Sequence, residues 1–287
     1  MRRRPLALAV LATAALAVTA CAPQESSSAG ASGSSGGSCT PEDLPTVTAD
    51  TLTIATDTPA YQPWFVDDDP TNGEGYESAV AYAVAEQLGY SADQVEWTTA
   101  QFNTAISPGD KSFDFDINQF TINDERRQAV DFSSPYYTAT QAVITTAGSP
   151  ADGATSIEDL KDLRIGAQVA TTSLDVLTDV IAPSSDPVVF NTNDDAKLAL
   201  QNGQVDAIVV DLPTAFYITA AELDNGVIVG QIEDSGDSGD QFGLLLAKDS
   251  PLTDCVTEAV DALDADGTLA DLQQQWLSEA ADAPVLN

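Results

Sequence analysis

The residues best suited to chemistry in this chain are charged and scarce. It carries 10 Lys and Arg against 45 Asp and Glu, a formal net charge of −35. Yet Arg126 and Arg127 stand side by side in FDFDINQFTINDERRQAVDFSSPYY, residues 113–137. A planar guanidinium is the natural donor for a carboxylate. Just upstream lies a polar corner, Asn118, Gln119 and Thr121. An acid, Asp211, closes the apolar run VDAIVVD, where it either faces a cleft or caps the helix that begins at Pro213. Thr171 and Thr172 open another helix, whose first N–H groups favour an anion, or one of them serves only as its N-cap. There is no His and no cluster of the three Cys, so zinc sites and His-dependent catalysis are excluded. No strand–helix junction carries a GxGxxG, a P-loop or a Gly-x-Ser-x-Gly elbow. What remains is a chemistry of binding.

The elements that must position these residues alternate. Short strands are expected at Leu52–Ala55, Val95–Trp97, Phe113–Asn118, Ala142–Thr146, Leu163–Ala167, Val188–Phe190, Val205–Val210, Val227–Val229 and Phe242–Ala247. Helices are expected from Tyr76 to Leu88, where apolar residues recur every fourth position, and at Phe102–Ile106, Thr171–Ile181, Asp194–Gln201, Pro213–Leu223, Thr253–Leu263 and Thr268–Leu277. This alternation predicts an α/β class with largely parallel sheets. Asp234–Asp240, DSGDSGD, reads as an exposed connection and fits no twelve-residue calcium loop.

The N-terminal residues carry a different signal. Arg2, Arg3 and Arg4 precede an apolar stretch, Leu6–Ala17, too short for a membrane span. Val18-Thr19-Ala20 before Cys21 resembles the lipobox of bacterial lipoproteins, which implies a signal peptide over 1–20 and a lipid on Cys21; the alternative is an ordinary secretory signal. Residues 21–44 then comprise this Cys and a Ser/Gly-rich tether. Removing the signal leaves 10 − 3 = 7 basic residues. So acidic a surface repels nucleic acid and anionic lipid. Cys39 and Cys255 remain, either a disulfide formed in an oxidising compartment or two free thiols.

Five motifs in order resemble one family, the solute-binding proteins of ABC importers in the polar amino-acid class. They are Gly75-Tyr76-Glu77; the 113–137 stretch; RIGAQ (164–168) leading to Thr171-Thr172; VDAIVVD (205–211); and ADGTL (265–269). The resemblance spans Thr51–Leu277 and implies a two-lobed type II periplasmic-binding-protein fold with two hinge strands and a ligand cleft between the lobes. Lobe 1 would comprise 45–138 plus 241–287, and lobe 2 residues 139–240.

The same resemblance implies the site. Arg126 would hold the carboxylate of an amino acid and Asp211 its ammonium, while Arg127 is solvated. Asn118 and Thr121 would complete the ring of hydrogen bonds with Thr171 and Thr172, where Ala170 stands in place of the family's usual Gly. Tyr61 and Phe102 would sandwich the side chain; Trp64 joins them or belongs to the core. Asp57 and Gln168 are candidates for side-chain recognition. The implied protein is a monomer without cofactor or metal, tied to the membrane by its lipid, which closes on a small solute and presents it to a membrane permease. A ligand-sensing lipoprotein for a signalling partner is the alternative, and a dehydratase on the same scaffold, with Glu77 as its acid, a weaker one.

Overall fold

The computed structural model describes residues 39–232, 239–277 and 283–287. The expected lipidation at Cys21, the expected signal peptide over 1–20 and most of the tether and of DSGDSGD lie outside the described residues. In chain order the strands are β1 (Leu52–Thr56), β2 (Val95–Thr99), β3 (Phe115–Asp116), β4 (Val130–Ala139), β5 (Gln141–Thr146), β6 (Ile165–Gln168), β7 (Val188–Phe190), β8 (Ala207–Asp211), β9 (Gly226–Ile232) and β10 (Asp240–Ala247). The helices are α1 (Tyr76–Gln87), α2 (Phe102–Ala105), α3 (Thr172–Asp175), α4 (Asn193–Gln201), α5 (Leu212–Tyr217), α6 (Thr253–Ala265) and α7 (Thr268–Leu277). Helices α3 and α5 each run on into a wider π-turn, over Val176–Ile181 and Ile218–Glu222.

Two five-stranded sheets result, ordered β2-β1-β3-β10-β4 and β7-β6-β8-β5-β9. They are mixed rather than largely parallel. In the first, β1 runs parallel to β2 and β3, while β10 is antiparallel to β3 and β4. In the second, β6 is parallel to β7 and β8, and β5 is antiparallel to β8 and β9. The reversal comes from the chain's passages between sheets. It leaves the first through β4, which becomes β5 one residue later, and it re-enters along β10, pairing Asp240 with Ala139. The strand that brings the chain into each sheet, β5 or β10, runs against those built by helix crossovers.

Each sheet is covered on both faces. Ile54, Phe115, Leu244 and Leu246 pack with α1 and α6 residues such as Val80, Val84 and Val256. Ala55, Phe120, Phe132 and Leu245 form the opposite face with Phe102. Val143, Ala167 and Val209 pack on one side of the second sheet, Ala142, Ile208 and Val210 on the other. Gly75 shows why that residue opens α1. Its φ is +96°, and a Cβ there would lie 2.4 Å from the Trp64 carbonyl. Cys39 and Cys255 form a disulfide that ties the start of the described chain to α6.

One expected boundary is corrected. Residues 283–287, assigned above to the first lobe, join the second sheet instead. Val285 bridges Gln231 of β9, Gln231 N donates to the Pro284 carbonyl at 2.7 Å, and Leu286 enters the core beside Ile165 and Val229. The apolar pair Val285-Leu286 offers β9 an extra edge partner.

Candidate functional site

The anchor of the site is Arg126. It sits in a short 3₁₀ turn, Arg126–Gln128, whose start is held by Asn123 Oδ1 accepting the Arg126 N–H at 2.8 Å. Arg126 is 7% exposed. Its Nη1 donates to the Thr121 carbonyl at 2.7 Å and its Nη2 to the Ala170 carbonyl at 2.9 Å. The guanidinium carbon lies 5.4 Å from the Phe102 ring, which stacks on Phe120 at 4.7 Å. Burial lowers its proton affinity, and Asp175, Asp240 and Asp211 oppose this; an arginine stays charged throughout. With two of its N–H groups on carbonyls, the remaining donors are open to a carboxylate. Arg127 is exposed beside the Phe132 ring at 5.9 Å.

Ala170 presents its carbonyl from the other lobe with φ +62°, a left-handed conformation that an L-residue with a Cβ adopts at a cost of about 1–2 kcal/mol. The next residue, Thr171, is the N-cap of α3: its Oγ1 accepts from Leu174 N at 3.2 Å and donates to the Gln168 carbonyl at 2.7 Å. Thr172 Oγ1 lies 3.2 Å from Thr121 Oγ1 and donates to Asp240 Oδ2 at 3.0 Å.

Asp211 ends β8 and is the backbone N-cap of α5, but its side chain makes no capping bond. The carboxylate instead accepts from Gln141 Nε2 at 2.7 Å. Withdrawal from water pushes Asp211 up to about 7, reinforced by the charge of Asp240 and opposed by the Gln141 bond. The capping alternative is therefore excluded by geometry.

These groups surround one narrow cavity of about 40 Å³ between the sheets, lined by Asp57, Tyr61, Phe102, Asn118, Arg126, Gln168, Thr171, Thr172 and Asp211. Nine of the eleven candidates thus meet there. Asp57 ties the end of β1 to the start of α2, accepting from Thr58 N at 2.7 Å and Phe102 N at 3.1 Å. Tyr61 Oη accepts from Asp194 N at 3.1 Å, at the start of α4 in the second lobe.

Two candidates stand elsewhere. Trp64 is fully buried in the core, edge-on to Tyr76 at 6.1 Å and to Tyr137 at 5.5 Å, and its Nε1 donates to Thr214 Oγ1 at 2.9 Å. Its bulk fills the space under α1, so it does not face the cavity. Thr121 lies behind Arg126, holding it through its carbonyl.

The cavity wall also includes Thr58, Pro59, Gln119, Ser173, Thr192 and Asn193, none of which was singled out from sequence as lining it. Thr192 and Asn193 follow β7, at the carboxyl end of a strand, where α/β sheets generally bind ligands; that rule would have found them. Gln119 depends on a buried partner. Its N–H donates to Glu77 Oε1 at 2.7 Å, its side-chain amide donates to Glu77 Oε2, and Tyr136 Oη donates to the same carboxylate. Burial pushes Glu77 up to about 7 against these three donors. Glu77 is 0% exposed and does not line the cavity.

Cross-lobe hydrogen bonds hold the cleft shut at Tyr61–Asp194, Trp64–Thr214, Thr121–Thr172 and Arg126–Ala170. A space this small between closed walls admits a solute only when the lobes part.

The chain is similar to known binding proteins along most of its length. It is 27% identical over 242 residues to the L-arginine-binding protein of Pseudomonas aeruginosa, covering 82% of this chain and 91% of that one. It is 28% identical to the L-cystine-binding protein TcyJ of Escherichia coli K12, over 75% of this chain and 79% of that one. Among solved structures it resembles an ancestral arginine-binding protein bound to glutamine (TM-score 0.66, 28% identity, 80% of this chain and 98% of that one). The arginine-, lysine-, histidine-binding protein ArtJ from Geobacillus stearothermophilus is similarly placed (TM-score 0.66, 26% identity, 79% and 95%). The fold is thus the two-lobed type II periplasmic-binding architecture. The sequence profile of one family matches residues 52–279, and the chain belongs to that family, the bacterial extracellular solute-binding proteins, family 3.

Proposed function

We propose that this protein captures a free α-amino acid by closure of its cleft and delivers it to the membrane permease of an ABC importer. The observation that carries this reading is the pair of opposite charges facing one cavity from opposite lobes, Arg126 from the first and Asp211 from the second. An α-amino acid is the small solute that carries a carboxylate and an ammonium on one carbon. The names of relatives that bind arginine, cystine and histidine support the class. Phe102 and Tyr61 would flank the side chain, with Asp57, Gln168 and Asn118 around it.

No bond is made or broken in this reading. Glu77, the acid that a dehydratase would need, is enclosed by three donors and turned away from the cavity. A lipid on Cys21 would keep the protein at the outer face of the membrane, where a permease stands. Isothermal titration against the natural amino acids tests the reading: at least one should bind with one-to-one stoichiometry, and binding should be lost in Asp211→Ala. Failure of every amino acid to bind the folded protein overturns it.

A further inference from the structure

Behind the cavity wall, one buried amide joins the two crossings of the chain. Gln141 is the first residue of β5, where the chain enters the second sheet; Asp240 is the first residue of β10, where it returns. Gln141 is 2% exposed. Its Nε2 donates to Asp211 Oδ1 and to Asp240 Oδ2, both at 2.7 Å, and its Oε1 accepts from Ser173 Oγ at 2.6 Å. An amide has two N–H protons, and here each is given to a different carboxylate. Asp240 Oδ2 also accepts from Thr172 Oγ1.

We propose that Asp240 and Gln141 are the positioning residues of the Asp211 end of the cleft: the amide fixes the Asp211 carboxylate, and the charge of Asp240 governs how readily Asp211 stands as an anion for a cationic group. This rests on the reading that Asp211 meets the ammonium of an amino acid.

The geometry gives the two residues opposite effects. Asp240 is a like charge held to Asp211 by a shared donor, so it favours a proton on Asp211. Gln141 gives a hydrogen bond to the ionised form and favours the anion. The balance described for Asp211 runs the same way, with Asp240 raising and Gln141 lowering its proton affinity. The other charged or titratable groups acting on Asp211 are Glu77 from α1, Arg126 from the 3₁₀ turn and Tyr137 from β4. Arg126 favours the anion and Glu77 opposes it. An ammonium arriving at Asp211 displaces that proton preference and draws on both carboxylates. Because Gln141 and Asp240 are themselves crossing residues, the charge state of the cleft is tied to the strands between the lobes.

Two variants test this in the whole protein. The Asp211 carboxyl carbon is followed by carbon-13 NMR against pH without added solute, assigned by its loss in Asp211→Asn. Asp240→Asn should move the Asp211 midpoint down, and Gln141→Met should move it up. Calorimetry with L-arginine and with L-glutamine between pH 5.5 and 8.5 then reads the consequence. Asp240→Asn should bind more tightly than wild type at the acid end and more weakly at the alkaline end, by about tenfold at the acid end for a one-unit move of the midpoint. A merely structural role weakens binding at both ends alike. An unmoved Asp211 midpoint in Asp240→Asn, or parallel affinity losses at every pH, overturns the proposal. Should Gln141→Met fail to fold, Asp240→Asn, which keeps the side-chain shape, decides alone. Wild-type protein that binds no amino acid overturns the reading of the cavity, a failure distinct from an unmoved carboxyl titration.

Discussion

Replacing Arg126 by Met separates the two tasks given to its guanidinium. Met keeps the length and the apolar contact with Phe102, whose ring lies 5.4 Å from the guanidinium carbon, and removes the donors. One donor is spent within the first lobe on Thr121, another across the cleft on Ala170. The loss of the cross-cleft bond, a charge-assisted bond worth about 1.5–3 kcal/mol, disfavours closure around any solute. Loss of the carboxylate pair costs about 2–5 kcal/mol, roughly 30- to 5,000-fold in Kd, and falls only on solutes that carry a carboxylate. The assay is therefore a cycle over two ligands, the amino acid that binds best and its α-amide, titrated into wild type and Arg126→Met. Comparing the ratio of the two affinities cancels the closure effect. Wild type should prefer the acid by most of the stated range, and the variant should show little preference. An acid-to-amide ratio that is the same in both proteins would refute the assignment of Arg126 to the carboxylate, however much overall affinity falls. Thermal unfolding without solute should show a modest loss, because the Thr121 and Ala170 carbonyls lose a donor while the desolvation of a buried charge is relieved.

Ala170→Gly should stabilise the protein by up to about 1 kcal/mol in urea titration, the relief of a left-handed Cβ exceeding the added chain entropy. Replacing Cys39 and Cys255 together by Ser should cost about 2–5 kcal/mol in the same assay, since the bond closes a separation of 216 residues. Stability without solute should rise as pH falls from about 8 to about 5. Glu77 and Asp211 hold their protons up to about 7 when folded, whereas their ordinary values are 4.5 and 3.8. Their contribution is therefore full below the unfolded values and lost as pH rises through about 7, a few kcal/mol in all; a melting temperature that instead falls between pH 7 and 5 contradicts this. Glu77→Gln should weaken amino-acid binding by disturbing Gln119 while leaving the fold intact, measured by calorimetry beside near-ultraviolet dichroism.

The sequence revealed what local patterns control. Strand and helix alternation located most elements, and the scarcity of cations drew the eye to Arg126, which is indeed the cation lining the cavity among the described residues. Patterns of a few residues do not report pairing direction, so the antiparallel placement of β5 and β10 was invisible; it follows from where the chain crosses. Trp64 was ambiguous because an aromatic next to a Pro-rich loop packs equally well in a core or in a cleft, and only its edge contacts with Tyr76 and Tyr137 decide it. The strand expected over Phe113–Asn118 shrinks to Phe115–Asp116, since Asn118 and Gln119 turn out of the sheet, the latter at φ +47°. Gln141 carried no local signal at all. Its importance lies in partners 70 and 99 residues away, and a lone Gln at the start of a strand looks like any other polar residue.

On the proposed reading, closure itself selects the solute. The cross-lobe bonds at Tyr61, Trp64, Thr121 and Arg126 are each worth about 0.5–1.5 kcal/mol net, somewhat more where charged, and compete with water when the lobes are apart. They bear on the balance between open and closed forms but cannot distinguish one solute from another. A solute shifts that balance only by the difference between its affinities for the closed and open forms. A simple carboxylate is met by Arg126, which belongs to the first lobe and is available whether or not the cleft is closed. A simple amine is met by Asp211 of the second lobe, equally available when open. Neither gains much from closure. A molecule with both groups on one carbon reaches both lobes at once only when they close, so its differential affinity contains the whole second interaction. Selection for zwitterions then needs no steric filter; it follows from placing the two charges on separate lobes and leaving the closing contacts weak.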